Sequence, residues 1–169
     1  MPLFFTDMHS YRGKQTFILR LDHWPHFMIV GAFRPGLMRQ CNGRFLSQSY
    51  KAARRIVEPL ANLSREAQLC GISIVLRIIT DNRITYSMSA PHYDDPYGFF
   101  ILNKASCAGC TRATGLCLNM LGIPYEHINE NKYSHQWTRV NIDGKYWICD
   151  AYGMYCGPEK IPYRHPNIS

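Results

Sequence analysis

A cysteine stands at the predicted start of a helix in the second half of this 169-residue chain. Residues 106–113 read SCAGCTRA, and the helical pattern continues to the LGIP segment at 121–124. Ser106 is a favourable N-cap residue, so we expect Cys107 to lie in the first turn of the helix. Unpaired backbone N–H groups and the helix dipole stabilise a thiolate there. Cys107 is therefore a candidate nucleophile, provided that a base lies beside it.

A β-hairpin follows this helix in the sequence. Residues 136–142 (QWTRVNI) and 145–149 (KYWIC) are rich in β-forming residues, and Asp143-Gly144 separates them. An Asp-Gly pair between two such runs is a strong signal for a two-residue turn. The sequence therefore predicts an antiparallel strand pair with a fixed register.

That register predicts a contact between a histidine and a carboxylate. A two-residue turn places Trp137 opposite Asp150, and His135 projects from the same face because side chains alternate along a strand. An imidazole held by a carboxylate has a fixed tautomer, and its second nitrogen can take a proton from a nucleophile. The hairpin thus supplies the base and the orienting acid that Cys107 requires.

These segments, in this order, resemble the core of the transglutaminase-like superfamily. The resemblance covers roughly residues 64–155 and rests on SCAGCTRA at 106–113, LGIP at 121–124, HQW at 135–137 and DGKYW at 143–147, followed by Asp150. It implies an α+β, papain-like fold, with helices packed on an antiparallel β-sheet and the nucleophile at a helix N-terminus. It also implies a Cys-His-Asp triad, in which Cys107 is the nucleophile, His135 the general base and acid, and Asp150 the orienting carboxylate.

The resemblance implies a thiol-dependent acyl-transfer enzyme that forms a thioester at Cys107 with a peptide or carboxamide substrate. Hydrolysis is the expected outcome, because a small single domain shows no apparatus for excluding water. Crosslinking of protein glutamine residues by the same triad is the alternative. We expect Trp137, Tyr86 and Asn103 to line the pocket and the Cys107 backbone N–H to be one oxyanion donor. No cofactor and no metal are expected.

The cysteines allow other functions as well. Cys107 and Cys110 form a C-x-x-C pair at a helix start, as in thiol–disulfide exchange sites, with Cys110 as the resolving thiol. Cys107, Cys110, Cys149 and Cys156 are a candidate structural zinc site. A binding module that keeps the fold without catalysis is a third alternative. The exchange site leaves His135 and Asp150 without a role. The zinc site is disfavoured because Cys149 and Cys156 are spaced more loosely than in a zinc ribbon and Cys149 should point away from the face of Asp150. We therefore favour the triad.

The length predicts one domain over residues 1–169, with a β-rich extension at 1–45 and the catalytic core at 46–169. Seven cysteines cannot all pair within one chain. Four of them fall in predicted helices, which is typical of a reduced protein, and core packing is expected for the thiols of Cys110 and Cys117.

Five further elements are predicted from local patterns. They are strands at 16–21 and 27–30, a helix from Ser47 or Ser49 to Pro59, a helix capped by Ser64 that runs over 65–81, and a short strand at 125–128. The 65–81 helix is apolar on most sides, which predicts a central position in the core. Surface positions are expected for His23 and His26, and a solvated loop for Asp94-Asp95.

The net charge of +7 is spread along the chain without a long basic cluster. We therefore expect a peptide or protein substrate, with some preference for an anionic or polymeric one, and no nucleic acid partner. No apolar run approaches the roughly 20 residues of a membrane helix. The N-terminus lacks the features of a signal peptide, which favours a cytoplasmic location for the chain as given.

Overall fold

A computed structural model describes residues 5–11, 14–19, 43–130, 135–159 and 163 of the protein. Three α-helices are present in these ranges: α1 (Gly43–Val57), α2 (Arg65–Arg83) and α3 (Cys107–Met120). A 3₁₀ turn at Glu58–Leu60 and a π-helical turn at Gly98–Leu102 lie between them. The strands are β1 (Phe5–Tyr11), β2 (Lys14–Leu19), β3 (Thr85–Tyr86), β4 (Lys104–Ala105), β5 (Glu126–Ile128), β6 (Trp137–Ile142), β7 (Lys145–Asp150) and β8 (Tyr155–Pro158). The predicted α+β class is confirmed.

The N-terminal strands form an antiparallel pair. Strand β2 overlaps most of the strand predicted at 16–21, whereas its partner β1 was not predicted. The strand predicted at 27–30 and the two histidines predicted to lie at the surface, His23 and His26, fall outside the described residues.

A four-stranded antiparallel sheet, in the order β5-β6-β7-β8, carries the predicted hairpin. The register is confirmed, since Thr138 pairs with Cys149 and Ile142 pairs with Lys145. Strand β8 was not predicted. It continues the sheet beyond β7 and brings Cys156 opposite Cys149. The Cys156 sulfur also lies 2.7 Å from the sulfur of Cys70, so β8 packs directly against α2.

Helix α3 occupies the centre of the core, because it packs against α1, α2 and β6 and nearly all its side chains are buried. Its first turn therefore meets the sheet directly. The central position predicted for α2 is wrong in part. Leu69, Ile72 and Leu76 are buried, but Ile74 and Ile78 on the other face are 59% and 55% exposed. An apolar pattern indicates a helix and leaves open whether its second face is covered.

Helix α1 begins at Gly43, earlier than the predicted Ser47 or Ser49. The added turn carries Phe45, whose ring lies 4.4 Å from the Tyr97 ring, so tertiary packing extends the helix beyond its local signal. The α-helix ends at Val57, as expected from Pro59, which lacks a backbone N–H.

The solvated position predicted for Asp95 is also wrong. Its carboxylate is buried, lies 2.6 Å from Nδ1 of His92, and accepts hydrogen bonds from the backbone N–H groups of Tyr97 and Gly98. Aspartate readily caps nearby backbone donors in turns, and here the cap is covered by neighbouring side chains. Its neighbour Asp94 stays near the surface.

No helix among the described residues is long and apolar enough to span a membrane.

The hairpin turn allows a test of backbone strain that leaves packing unchanged. Asp143 and Gly144 have φ values of 51° and 80°, and a Cβ at Gly144 would meet no atom within 4 Å. Gly144→Ala is therefore expected to lower the free energy of unfolding by about 1 kcal/mol through the left-handed backbone alone. Urea unfolding measures this loss. Asp143→Asn is the control with an expected loss near zero, because Asn tolerates this conformation. Equal stability of all three proteins would contradict the strained turn.

Candidate active site

Cys107 lies in the first turn of α3, where the sequence predicts it. Oγ of Ser106 accepts a hydrogen bond of 3.2 Å from the backbone N–H of Ala108, which caps the helix. The backbone N–H of Ser106 donates to the carbonyl of Tyr93 at 2.9 Å and anchors the segment before the helix. The thiol itself is only half-buried. The candidate nucleophile is therefore anchored through its neighbouring backbone and has an accessible sulfur.

The hydroxyl group of Thr111 lies between the start of α3 and the residue that precedes β6, and its one proton is shared by two carbonyl oxygens. Its Oγ1 lies 2.8 Å from the carbonyl oxygen of Cys107 and 2.8 Å from that of Gln136. The backbone N–H of Gln136 in turn donates to the Cys107 sulfur. The side chain of Gln136 lies 2.8 Å from Nε2 of His127 on β5. These contacts fix the helix start beside the residues that precede β6.

His135 and Asp150 meet as the register predicts. Nε2 of His135 lies 2.6 Å from Oδ2 of Asp150, and the two residues are only 6% and 2% exposed. The backbone carbonyl of His135 accepts a hydrogen bond of 3.0 Å from the side chain of Asn129. Because Nε2 faces the carboxylate, Nδ1 is the ring nitrogen left for Cys107, to which His135 is hydrogen-bonded.

The electrostatics of this chain favour a thiolate–imidazolium pair. Burial alone would raise the pKa of Cys107, but hydrogen bonds from His135 and from the backbone N–H groups of Gln136 and Ala108 lower it overall. Burial alone would lower the pKa of His135, but its hydrogen bonds with Asp150 and Cys107 outweigh that effect and raise the pKa to about 9. Opposite shifts of this kind transfer the proton from sulfur to imidazole.

Asp150 has three donors around its carboxylate. Oδ1 accepts a hydrogen bond of 2.8 Å from the backbone N–H of Gly153. Oδ2 accepts one from His135 and a second, of 2.9 Å, from the hydroxyl of Tyr163. A buried carboxylate is costly unless donors satisfy it, and here both of its oxygens are satisfied.

Two aromatic rings pack against the imidazole of His135. The Trp137 ring is stacked on it, with centroids 5.8 Å apart and planes inclined by 21°, and the Tyr152 ring lies 5.9 Å away. The Trp137 Nε1–H is buried and has no hydrogen-bond partner within the part of the chain that the structure describes. The rings hold the imidazole in place without competing for its nitrogens.

A cavity of about 310 Å³ lies between the end of α2 and the turn that follows Asp150. Its lining consists of Arg77, Thr80, Ile84, Tyr86, Tyr152, Gly153 and Met154. Burial, together with the charge of the nearby Cys107 thiolate, raises the pKa of Tyr86, one of these lining residues. Of the three pocket residues that the sequence suggests, Tyr86 thus lines the cavity. Trp137 packs behind His135, and Asn103 is exposed in a left-handed turn.

Among the other described cysteines, Cys110 lies close enough to the candidate site for the charges of Asp150 and Cys107 to add to the effect of burial on its pKa. Cys110 and Cys117 are buried in the core, as expected, and burial raises the pKa of Cys110 to about 12. The Cys149 sulfur points to the carbonyl of Leu69. Over the described ranges, no three His, Cys, Asp or Glu side chains converge in a way that could hold a metal ion.

The fold resembles that of a crystal structure described as that of a TGase. The two agree with a TM-score of 0.50 and 19% sequence identity, over 76% of this chain and 37% of that one. This likeness supports the transglutaminase-like fold that the sequence motifs predict. This chain thus corresponds to little more than a third of that protein. No family model and no curated protein sequence matches the chain.

Several residues around the site have no signal that sequence reasoning could use. Tyr163 lies beyond the last strand, Asn129 lies in a loop, and the Thr111 hydroxyl is one of several along α3. The Tyr152 ring follows Asp150 by two residues, but its position over His135 depends on the turn at 151–154. Their roles come from contacts between elements that are distant in the chain.

The paired pKa shifts predict a pH window for the reactivity of Cys107. The thiolate is expected to persist below the ordinary pKa of cysteine, while His135 stays protonated up to about pH 9. Iodoacetamide alkylation, followed by peptide mass spectrometry, is expected to modify Cys107 near pH 6 before Cys110 and Cys117 react. His135→Ala removes the positive partner and raises the thiol pKa, so the alkylation rate at that pH is expected to fall by about tenfold or more. Identical profiles for the two proteins would contradict the pair.

Proposed function

We propose that this protein is a thiol-dependent acyl-transfer enzyme that acts on peptide or carboxamide bonds and releases its product by hydrolysis. The observation that carries the proposal is the hydrogen-bonded chain from Cys107 through His135 to Asp150, with its opposite pKa shifts on sulfur and imidazole. Such a chain supplies a nucleophile, a proton carrier and an orienting carboxylate in contact with one another. We also propose that residues 46–169 form the catalytic core.

The first half of the reaction forms a thioester. The Cys107 thiolate attacks the carbonyl carbon, a C–S bond forms, and the carbonyl oxygen carries the negative charge of a tetrahedral intermediate. His135 then gives its proton to the leaving nitrogen, the C–N bond breaks, and an amine or ammonia departs. The backbone N–H of Cys107 is our proposed oxyanion donor, because it lies in the first turn of α3 where N–H groups lack helical partners.

The second half returns the enzyme to its starting state. His135, now neutral, takes a proton from water, and the oxygen attacks the thioester carbon. The C–S bond breaks, and the thiolate leaves beside the reprotonated imidazole. Asp150 holds the imidazole in one orientation in both halves, which explains the need for a fixed Nε2 contact.

Hydrolysis is favoured by the access of water to the sulfur. Cys107 is half-buried, nearby Tyr86 is 51% exposed, and the cavity that Tyr86 lines is open to solvent. A thioester formed at this position therefore meets water at high concentration. The net charge of +7 further supports an anionic or polymeric peptide as the substrate.

Protein crosslinking is the second candidate function. The structure that this chain resembles is described as a TGase, and a crosslinking enzyme transfers the same kind of acyl group to an amine in place of water. The thioester and the three residues are common to both outcomes. The two functions differ only in which nucleophile reaches the thioester first.

A partition experiment is expected to separate hydrolysis from crosslinking. The protein is incubated with a library of glutamine-containing peptides, with and without a fluorescent primary amine, and mass spectrometry records deamidated, cleaved and amine-labelled products. Hydrolysis predicts that deamidated or cleaved products dominate and that the amine diverts only a small fraction. Dominant amine labelling would replace hydrolysis by crosslinking.

Two variants control this experiment. Cys107→Ala is expected to abolish every product, because it removes the nucleophile, with a loss of at least about a thousandfold. Cys117→Ala is the matched control, since its sulfur is buried on the same helix away from the site, and activity is expected to remain in the folded fraction. Full turnover by Cys107→Ala would contradict the mechanism.

A further inference from the structure

We infer that Tyr163 is a positioning residue of the Cys107–His135–Asp150 site, acting through a hydrogen bond from its hydroxyl to the Asp150 carboxylate. Tyr163 would serve the reaction described above, so the inference rests on the proposed function. None of the motifs that identify the three other residues includes Tyr163. It would be the fourth member of a series of hydrogen-bonded side chains that begins at the Cys107 sulfur.

The first support is the geometry at the carboxylate. The Tyr163 hydroxyl donates to Oδ2 of Asp150 at 2.9 Å, and His135 contacts the same oxygen at 2.6 Å. Two donors on one oxygen restrict the rotation of the carboxylate more than His135 alone does. The hydroxyl therefore helps to set the direction in which the imidazole is held.

The second support is the turn that follows Asp150. Gly153 donates its backbone N–H to Oδ1 of Asp150 at 2.8 Å. A Cβ built at Gly153 would collide with the Asp150 carboxylate and would come within 2.9 Å of the Tyr163 hydroxyl oxygen. Only glycine allows the backbone to approach both groups this closely. The turn is thus shaped around the contact between Asp150 and Tyr163.

The third support is the way Tyr163 is held. Its ring is stacked on that of Tyr155, with centroids 5.2 Å apart, and contacts the Trp137 ring edge-on at the same distance. Its backbone N–H donates to the side chain of Glu159 at 3.2 Å, and the backbone N–H of Glu159 donates to the carbonyl of Tyr146. Ring packing and backbone contacts therefore place the hydroxyl independently of Asp150.

The hydroxyl is suited to act as a permanent donor. Burial and the negative charge of Asp150 both raise the pKa of Tyr163, so it stays protonated wherever the thiolate–imidazolium pair exists. The titratable groups around the contact, among the described residues, are Cys107, Cys110, His135, Tyr155 and Glu159. Of these, His135 shares the Asp150 oxygen with Tyr163, so a change at the hydroxyl is transmitted to the imidazole.

The test compares two phenol-to-phenyl changes in the full chain. Tyr163→Phe keeps the stacked ring and removes the donor to Asp150. Tyr155→Phe is the matched control, because its hydroxyl donates instead to the backbone carbonyl of Pro158 at 2.9 Å. The readout is the pH dependence of Cys107 alkylation by iodoacetamide, which needs no substrate. Circular dichroism and thermal melting identify conditions in which all variants are folded.

Tyr163→Phe is expected to move the acid limb of the alkylation profile upward by about half a pH unit or more. Without the hydroxyl, the Asp150 carboxylate holds the imidazolium of His135 less firmly. The hydrogen bond from His135 that lowers the pKa of Cys107 is then weaker, so the thiolate forms at a higher pH. Tyr155→Phe is expected to leave the limb in place. In an Asp150→Asn background, Tyr163→Phe is expected to have no further effect, because the charge through which it acts is gone.

An unmoved acid limb in folded Tyr163→Phe would overturn the inference, and so would an equal shift in the Asp150→Asn background. Peptide turnover keeps the two proposals distinct. A moved limb without any turnover would reject the proposed hydrolysis and retain the positioning role. Turnover that depends on Cys107, with an unmoved limb, would retain the hydrolysis and reject the role of Tyr163.

Discussion

The buried hydrogen bond between His135 and Asp150 is the interaction on which the rest of the site depends. Its two side chains are almost completely removed from water, where an unpaired carboxylate is strongly destabilising. The hairpin brings the two side chains together, and the Gly153 N–H and the Tyr163 hydroxyl donate further hydrogen bonds to the carboxylate. The hydrogen bond from an imidazole held in this way, together with the backbone N–H groups of Gln136 and Ala108, lowers the pKa of Cys107.

The site is assembled where two parts of the chain pack against each other. Helix α3 carries the Cys107 sulfur, whereas His135 lies just before β6 and Asp150 ends β7. The Thr111 hydroxyl lies at their junction and shares its proton between the carbonyl oxygens of Cys107 and Gln136. The reactivity of the thiol thus depends on the packing between helix and sheet. Any change that separates the two is expected to lower the reactivity of Cys107 even though the residue itself is unchanged.

The differences between predicted and observed structure share one cause. Helix α1 starts early because Phe45 packs on Tyr97, and Asp95 is buried because its own turn and neighbouring side chains cover it. Ile74 and Ile78 are exposed although their spacing resembles that of buried residues. In each case, the local pattern identified the element, while its length or its surroundings depended on packing that the pattern does not encode. The likeness to the TGase structure likewise supports the fold, whereas the chemistry has to be argued from the residues of the site.

The sequence by itself determined the helix start at Cys107 and the register that pairs His135 with Asp150. Both depend on a few neighbouring residues: a serine cap in one case, and a two-residue turn with positive φ angles in the other. Only the tertiary structure decided that the sulfur meets the imidazole and that the Tyr163 hydroxyl donates a hydrogen bond to the Asp150 carboxylate. Those contacts join residues far apart in sequence or beyond the last strand, and the free energy that forms them comes from packing the whole core.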